Sequence, residues 1–179
     1  MAPTKKTSTG STTGAAKRTR PQNAEGGFRA SATMTKNLQA VLVDLIELAL
    51  QGKQAHWNIV GTNFRDLHLQ LDEVIDATRE FADTVAERMR ALHAVPDGRS
   101  ATIAKATTLP VFPQGEVLTT DAIDLITERI EAVVGTIRDV HDAVDDEDPT
   151  TADILHGVIE GLEQFAWMVS AENRTPRSR

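Results

Sequence analysis

KQAHWNIVGTNFRDLHLQLDEV (residues 53–74), followed at residues 82–89 by ADTVAERM, holds two imidazoles and three carboxylates at positions that decide how the chain is read. His68 and Asp72 are four residues apart, as are Asp83 and Glu87, so each pair can point from one face of a helix. Asp72 and Asp83 are 11 residues apart. On a helix that is roughly 16 Å, whereas one metal ion needs its donors within about 2 to 2.3 Å. A single straight helix cannot bring both pairs to one ion. At about 100° per residue the 11 steps return almost to the starting direction, so the pairs share one stripe. An antiparallel second copy of the chain would bring them together.

Apolar periodicity extends this helix in both directions. Leu38, Val41, Leu42, Leu45, Ile46, Ala49 and Leu50 recur at three- and four-residue spacing, predicting a first helix from Met34 to about Ile59. Gly52 interrupts it at modest cost and Gly61 stops it. Asn63, with Asp66 three residues on, is read as the cap of a second helix. That helix runs through Leu67, Leu71, Val74, Ile75, Ala82 and Met89 to about Ala94, where Pro96, Asp97 and Gly98 end it. Arg99 to Gly115, with Pro110 and Pro113, reads as one long connection. Thr120, with the preceding Thr119, then caps a third helix through Ile123, Ile126, Ile130, Val133, Ile137 and Val144. The acidic segment Asp145 to Pro149 is expected to break it. A fourth helix starts near Thr150 or Thr151, carries Leu155, Val158, Leu162 and Phe165, and fades toward Glu172. The expected fold class is all-α, a four-helix bundle whose long crossover lies between helices two and three.

The bulk composition is compatible with one such domain. The 179 residues are 40% hydrophobic and 4% aromatic, without tyrosine, which suits aliphatic packing between helices. Mean hydropathy is -0.27. With no cysteine, disulfides, thiolate metal sites, iron–sulfur clusters and cysteine nucleophiles are excluded. No apolar run has the length of a membrane span and no secretory signature follows the basic start, so a cytoplasmic location is expected. Nucleotide-binding glycine loops, G-x-S-x-G and HExxH sequences are also missing.

Charge is unevenly divided. Residues 1–28 hold Lys5, Lys6, Lys17, Arg18 and Arg20 against Glu25, a net of +4, in a composition with little to bury. Residues 29–172 carry 11 basic and 25 acidic side chains, a net of -14. Residues 173–179 add three arginines. The expected organisation is a disordered basic tail over 1–28, a bundle over 29–172 and a short basic end over 173–179. An acidic body repels phosphate, so any contact with DNA falls to the ends. A solubilising arm accounts for the same tail composition.

Oxygen and imidazole donors without thiolate suit Fe(II), Mn(II), Zn(II) or Co(II). Each donor has an ordinary alternative: His56 as a core or interface histidine, His68 as an exposed helix histidine, and Asp72, Asp83 and Glu87 as solvated carboxylates. Trp57, beside His56, reads either as an electron relay or as core packing. The two pairs on one stripe, with His56 close before them in the chain, are more informative than any one donor.

The two quoted segments, with DDEDPTTADILHGVIEGLEQFAWMV at residues 145–169, resemble the Dps family of mini-ferritins. The resemblance covers about Thr33 to Glu172. It implies a ferritin-like four-helix subunit, a hollow homo-oligomeric shell of twelve, and oxidation of Fe(II) to Fe(III), usually with hydrogen peroxide, before the mineral is stored inside. It assigns His56, His68 and Asp72 as ligands from one subunit, and Asp83 and Glu87 as those from the twofold mate. Dinuclear iron would form there if a carboxylate bridged two ions. Glu131, Asp139 and Asp142 fall where the family has an acidic threefold pore that admits iron, although ordinary solvent exposure explains them as well. DNA association occurs in many members through a variable basic tail, here Lys5, Lys6, Lys17, Arg18 and Arg20, and would add the nucleoid to the expected location. A nucleoid-binding structural protein with little ferroxidase activity is the alternative. A different di-metal oxidase fits less well, because the second Glu and Glu-x-x-His set of the larger ferritin-like bundles is not evident.

Overall fold

The computed structural model describes residues 26–176, which form a ferritin-like four-helix bundle. Its elements are α1 (Ala32–Asn58), β1 (Ile59–Val60), α2 (Phe64–Ala91), α3 (Ser100–Ala106), β2 (Val117–Leu118), α4 (Thr119–Glu147) and α5 (Pro149–Ala171). Helix α1 packs on α2 and α4, while α5 packs on α4 and α2. Leu38, Leu45, Leu71, Ile75, Ile126, Ile130, Val133, Leu155 and Leu162 belong to one continuous core. The expected helices are therefore present, and no helix among the described residues is long and apolar enough to cross a membrane. The basic residues Lys5, Lys6, Lys17, Arg18 and Arg20 lie outside the described residues.

The junctions differ in detail from the sequence reading. Ser31 caps α1, its hydroxyl oxygen accepting from the Met34 N–H at 3.0 Å. The Ser31 N–H and hydroxyl both donate to the Glu147 carboxylate, at 2.6 Å each, tying the start of α1 to the end of α4. Asn63 stands at the cap of α2 in the left-handed region and does not cap it through its side chain. Its amide donates instead to Glu172, beyond α5, at 2.5 Å. Ahead of it, β1 pairs in parallel with β2, Ile59 opposite Val117 and Val60 opposite Leu118. Two residues are too few for a periodic signal. Gly61 makes the turn at φ 121°, and the Thr119 hydroxyl donates to the Thr62 carbonyl at 2.7 Å. Thr119 thus fastens the α1–α2 turn instead of capping α4.

The crossover contains α3, which is short and has a single buried residue, Ile103. Two buried charged residues tether the chain beyond α3. Asp44 of α1 accepts from the Thr107 hydroxyl at 2.9 Å, the Thr108 N–H and hydroxyl at 2.8 and 2.7 Å, and the Thr136 hydroxyl of α4 at 2.8 Å. Arg129 of α4 donates to Gln51 at 2.5 Å and to the carbonyls of Pro110 and Val111 at 3.2 and 3.1 Å.

Helix α4 continues through Glu147, and the chain turns at Asp148 alone. Pro149 explains the sharp break, since it disfavours helical geometry in the residue before it and fits the first position of the next helix. Arg88 of α2 reaches this turn. Its guanidinium donates to the Thr151 hydroxyl at 2.8 Å and to Asp148 at 2.5 Å, while Thr151 donates to the same carboxylate at 2.5 Å. Burial pushes the Asp148 carboxyl up, but Thr151, Arg88 and the Thr150 N–H outweigh it and hold it below its ordinary value. A carboxyl with a depressed folded-state pKa stabilises the fold above its unfolded pKa and loses that contribution as pH falls through the folded value. Asp148→Asn is expected to lower stability by about 1–3 kcal/mol near neutrality. The gap from wild type should close below the ordinary carboxylate range, as measured by denaturant titration over pH.

Candidate metal centre

His56 belongs to the last turn of α1, where backbone carbonyls lose their helical partners. The turn through Gly61 reverses the chain and sets His68 of α2 against it. The two rings stack with centroids 3.6 Å apart and planes 24° apart, and Phe64 stacks on the outer face of the pair at 5.1 Å from His68. Their backbones fix them reciprocally. His56 Nδ1 is 3.0 Å from the His68 carbonyl oxygen, and His68 Nδ1 is 3.0 Å from that of His56. Each Nδ1 therefore donates its proton to a carbonyl, which leaves each Nε2 with a lone pair for a metal.

Close approach of the helices supports this arrangement. Gly52 lies one turn before His56 on α1, and a Cβ there would come within 3.0 Å of Ile75 Cγ1 on α2. The glycine that interrupts the first apolar run is thus a packing contact. Leu67 and Leu71, both buried, flank His68 on the core side of α2. With Asp72 one turn beyond His68, the three side chains offer ligand atoms within 4.8 Å of one another. His56 is buried, whereas His68 and Asp72 are half-buried. The set is open to one side.

Lys53, one turn before His56, occupies part of that opening. Its ammonium donates to Asp72 Oδ1 at 2.6 Å, and His56 Nδ1 lies 3.3 Å from the same oxygen. The Lys53 hydrogen bond is the chief reason that the Asp72 carboxyl lies below the usual carboxylate range. Partial burial opposes it, and the charge of Lys53, with that of His56 and His68 when they are protonated, adds to it. An ammonium is thus the resident counter-charge of the carboxylate. Sequence reasoning gives Lys53 no role; its one signal is the three-residue spacing to His56.

Asp83 and Glu87 do not join this cluster within the chain. Both are exposed. Asp83 instead borders an apolar groove formed by Leu42, Ile46, Ala49, Leu50, Ala82 and Ala86. Trp57 is 68% exposed at the end of α1. Glu131, Asp139 and Asp142 are exposed on α4; Glu131 borders a hollow with Trp167 and Arg174, Asp142 a separate one with His141 and His156.

The family model described as a ferritin-like domain matches residues 35–177. DNA protection during starvation protein of Agrobacterium fabrum is 34% identical over 143 residues, which cover 79% of this chain and 88% of that protein. The chain belongs to the Dps mini-ferritins. DNA protection during starvation protein 2 of Deinococcus radiodurans is 39% identical over 134 residues, 75% of this chain, and the matched part spans only 56% of that longer protein. Among solved Dps structures, that from Microbacterium arborescens in its high iron form superposes with a TM-score of 0.75 at 31% identity, covering 82% of this chain and 98% of the other. The Dps fold therefore accounts for the bundle, and the two-histidine, one-carboxylate cluster is its candidate metal centre.

Lys53 competes with a cation for Asp72, but both side chains are partly solvated, which weakens the pair. Lys53→Met is expected to tighten Co(II) or Zn(II) binding at this centre, roughly three- to tenfold after that screening is allowed for. Calorimetric titration measures it, and weaker binding would show that Lys53 positions Asp72 instead of masking it.

Proposed function

We propose that this Dps protein oxidises Fe(II) at centres shared between paired subunits and retains the ferric product inside a closed homo-oligomeric shell, with twelve subunits as the expected number. The observation that carries the reading is a half-built site: His56, His68 and Asp72 converge to within 4.8 Å, while the carboxylates of Asp83 and Glu87 remain outside the cluster. The groove beside Asp83 supplies the reason to look to a partner. Leu50, on its rim, is 56% exposed, a large apolar surface that a second copy would cover. Antiparallel pairing along α1 and α2 brings Asp83 and Glu87 of one subunit to the imidazoles of the other.

Fe(II) is the substrate in this reading. Two imidazole nitrogens and a set of carboxylate oxygens match its ligand preference, and anionic donors favour the ferric over the ferrous charge state. Each Fe(II) gives up one electron; two electrons and two protons reduce one hydrogen peroxide to two waters. A carboxylate bridging two ions would allow both electrons to leave from one centre. Lys53 keeps Asp72 ionised and can swing away as iron arrives. Trp57, next to His56 in the chain and exposed, would serve as an electron relay or pack against the partner. Glu131, Asp139 and Asp142 are the proposed lining of the pore that admits iron, because symmetry turns each exposed carboxylate of α4 into a ring.

Asp83→Asn with Glu87→Gln tests the shared site. The double variant should assemble normally by size-exclusion chromatography and lose about tenfold or more of its peroxide-dependent iron oxidation rate. An unchanged rate in the assembled variant would remove both carboxylates from the centre.

The basic tail supports a second role in the same protein, with residues 1–28 as a DNA-contacting arm and residues 29–172 as the bundle. Five cations per tail are few, but many tails on one shell act together. Contacts from Lys5, Lys6, Lys17, Arg18 and Arg20 to phosphate would be independent of base sequence and strongly weakened by salt. Removing residues 1–28 is expected to abolish a DNA mobility shift at low salt while iron oxidation persists. A shift that survives the truncation would assign DNA contact elsewhere.

A further inference from the structure

Two histidines outside the His56–His68–Asp72 centre meet across the α4–α5 pair. His141, near the end of α4, and His156, two turns into α5, bring their Nε2 atoms to 2.6 Å, with ring centroids 4.5 Å apart. The opposite edges of both rings face carboxylates: His141 Nδ1 is 3.1 Å from Asp142, and His156 Nδ1 is 3.6 Å from Asp153. Together with Arg138 and Ile159, the histidines border a surface hollow.

We infer that His141 and His156 form a second cation site, binding one divalent transition ion of the zinc or cobalt type through their two Nε2 atoms and joining α4 to α5. Carboxylates beside both Nδ1 atoms favour the proton on that side of each ring, aiming both Nε2 lone pairs at one point. Two lone pairs 2.6 Å apart repel unless a positive charge lies between them. A proton can fill that role; a metal ion fills it with two bonds. At Zn–N distances of about 2.0–2.1 Å and a tetrahedral angle, two ligand nitrogens are about 3.3 Å apart, so the rings need to open by less than about 1 Å. The exposed face of His156, with 57% of its side chain accessible, leaves room for water ligands to complete the coordination. Imidazole donors select zinc, cobalt, nickel or copper ions over magnesium or calcium.

The nearby Arg138 guanidinium is the main electrostatic opposition. It is turned to Glu163 of α5, which accepts its hydrogen bond, and Asp142 and Asp153 add two negative charges beside the rings. His56, His68 and Asp72 take no part in this second hollow.

Zn(II) binding to the assembled protein is the test. Equilibrium dialysis with metal analysis should find one Zn(II) fewer per chain in His141→Ala/His156→Ala than in wild type. Crystals soaked in Zn(II) should show an anomalous peak between the two rings of the wild-type protein. Asp142→Asn/Asp153→Asn should retain the site with affinity reduced about tenfold, through loss of the groups that orient the rings. Equal zinc stoichiometry in wild type and the double histidine variant, or a peak that spares this hollow, would overturn the site. Because zinc binding is read directly, this outcome is independent of iron oxidation; peroxide-dependent oxidation in the double histidine variant should match wild type.

Discussion

The long connection between the two α-hairpins of this bundle is anchored through buried charge. Arg129 is 1% exposed, and its guanidinium is shared among Gln51 on α1, carbonyls of the crossover and the Leu125 carbonyl of its own helix. Phe112 lies 5.2 Å beneath it, adding a cation–π contact. Burial pushes the guanidinium's pKa down and the neighbouring Glu128 carboxylate works against that shift. Asp44 provides the opposite charge at another point of the connection, its two oxygens filled by hydroxyls and an N–H. Proline-rich chain without regular structure has backbone groups to satisfy, and these side chains supply partners that a helix or sheet would otherwise give. Aliphatic packing stabilises each helix pair, while directional bonds from Arg129 and Asp44 fix how the connection crosses them.

The same economy of free backbone groups builds the candidate centre. A carbonyl in the last turn of a helix needs a donor, and a histidine needs a partner on one nitrogen if the other is to bind metal. The reciprocal contacts of His56 and His68 meet both needs across the α1–α2 turn. They also make the turn geometry part of the chemistry. Gly61 and the short β1–β2 pairing set where α2 begins, and Thr119 of α4 holds the adjacent Thr62 carbonyl. Changes at this turn would alter the imidazole orientation without touching a ligand.

The four long helices are legible in the sequence because each has a continuous apolar face, and the crossover because its prolines and glycines interrupt that pattern. Cooperation among His56, His68 and Asp72 is also legible, through helix periodicity for the latter pair and a turn short enough to return His56 to them. What the sequence obscures is the use made of polar side chains at junctions. Asn63 has the composition of a cap, but the left-handed backbone turns its amide toward Glu172. Asp145 and Asp146 look like breakers, yet the helix carries them until Pro149 removes an N–H and disfavours the conformation before it. Lys53 is hidden because a lysine in a polar stretch such as residues 51–54 usually signifies solvent exposure. His141 and His156 are hidden because their 15-residue separation crosses a helix break, so no single-helix periodicity connects them.

Comparing the two histidine pairs separates packing from metal preference. Both lie between consecutive helices joined by a tight turn, but in the first both Nδ1 atoms meet backbone carbonyls, with Asp72 also 3.3 Å from that of His56, whereas in the second they face carboxylates alone. A carboxylate partner makes an imidazole more basic and a stronger donor to metal; a carbonyl partner fixes its orientation with less transfer of charge. In the first pair, an Asp72 carboxylate oxygen stands among the candidate ligand atoms and is a donor suited to a hard cation. In the second, the carboxylates occupy the far side of the rings and leave nitrogen atoms at the meeting point. Similar helix pairs thus offer an oxygen-containing ligand set at one place and a nitrogen-dominated one at another, the difference being that a carboxylate oxygen stands among the candidate ligand atoms only in the first.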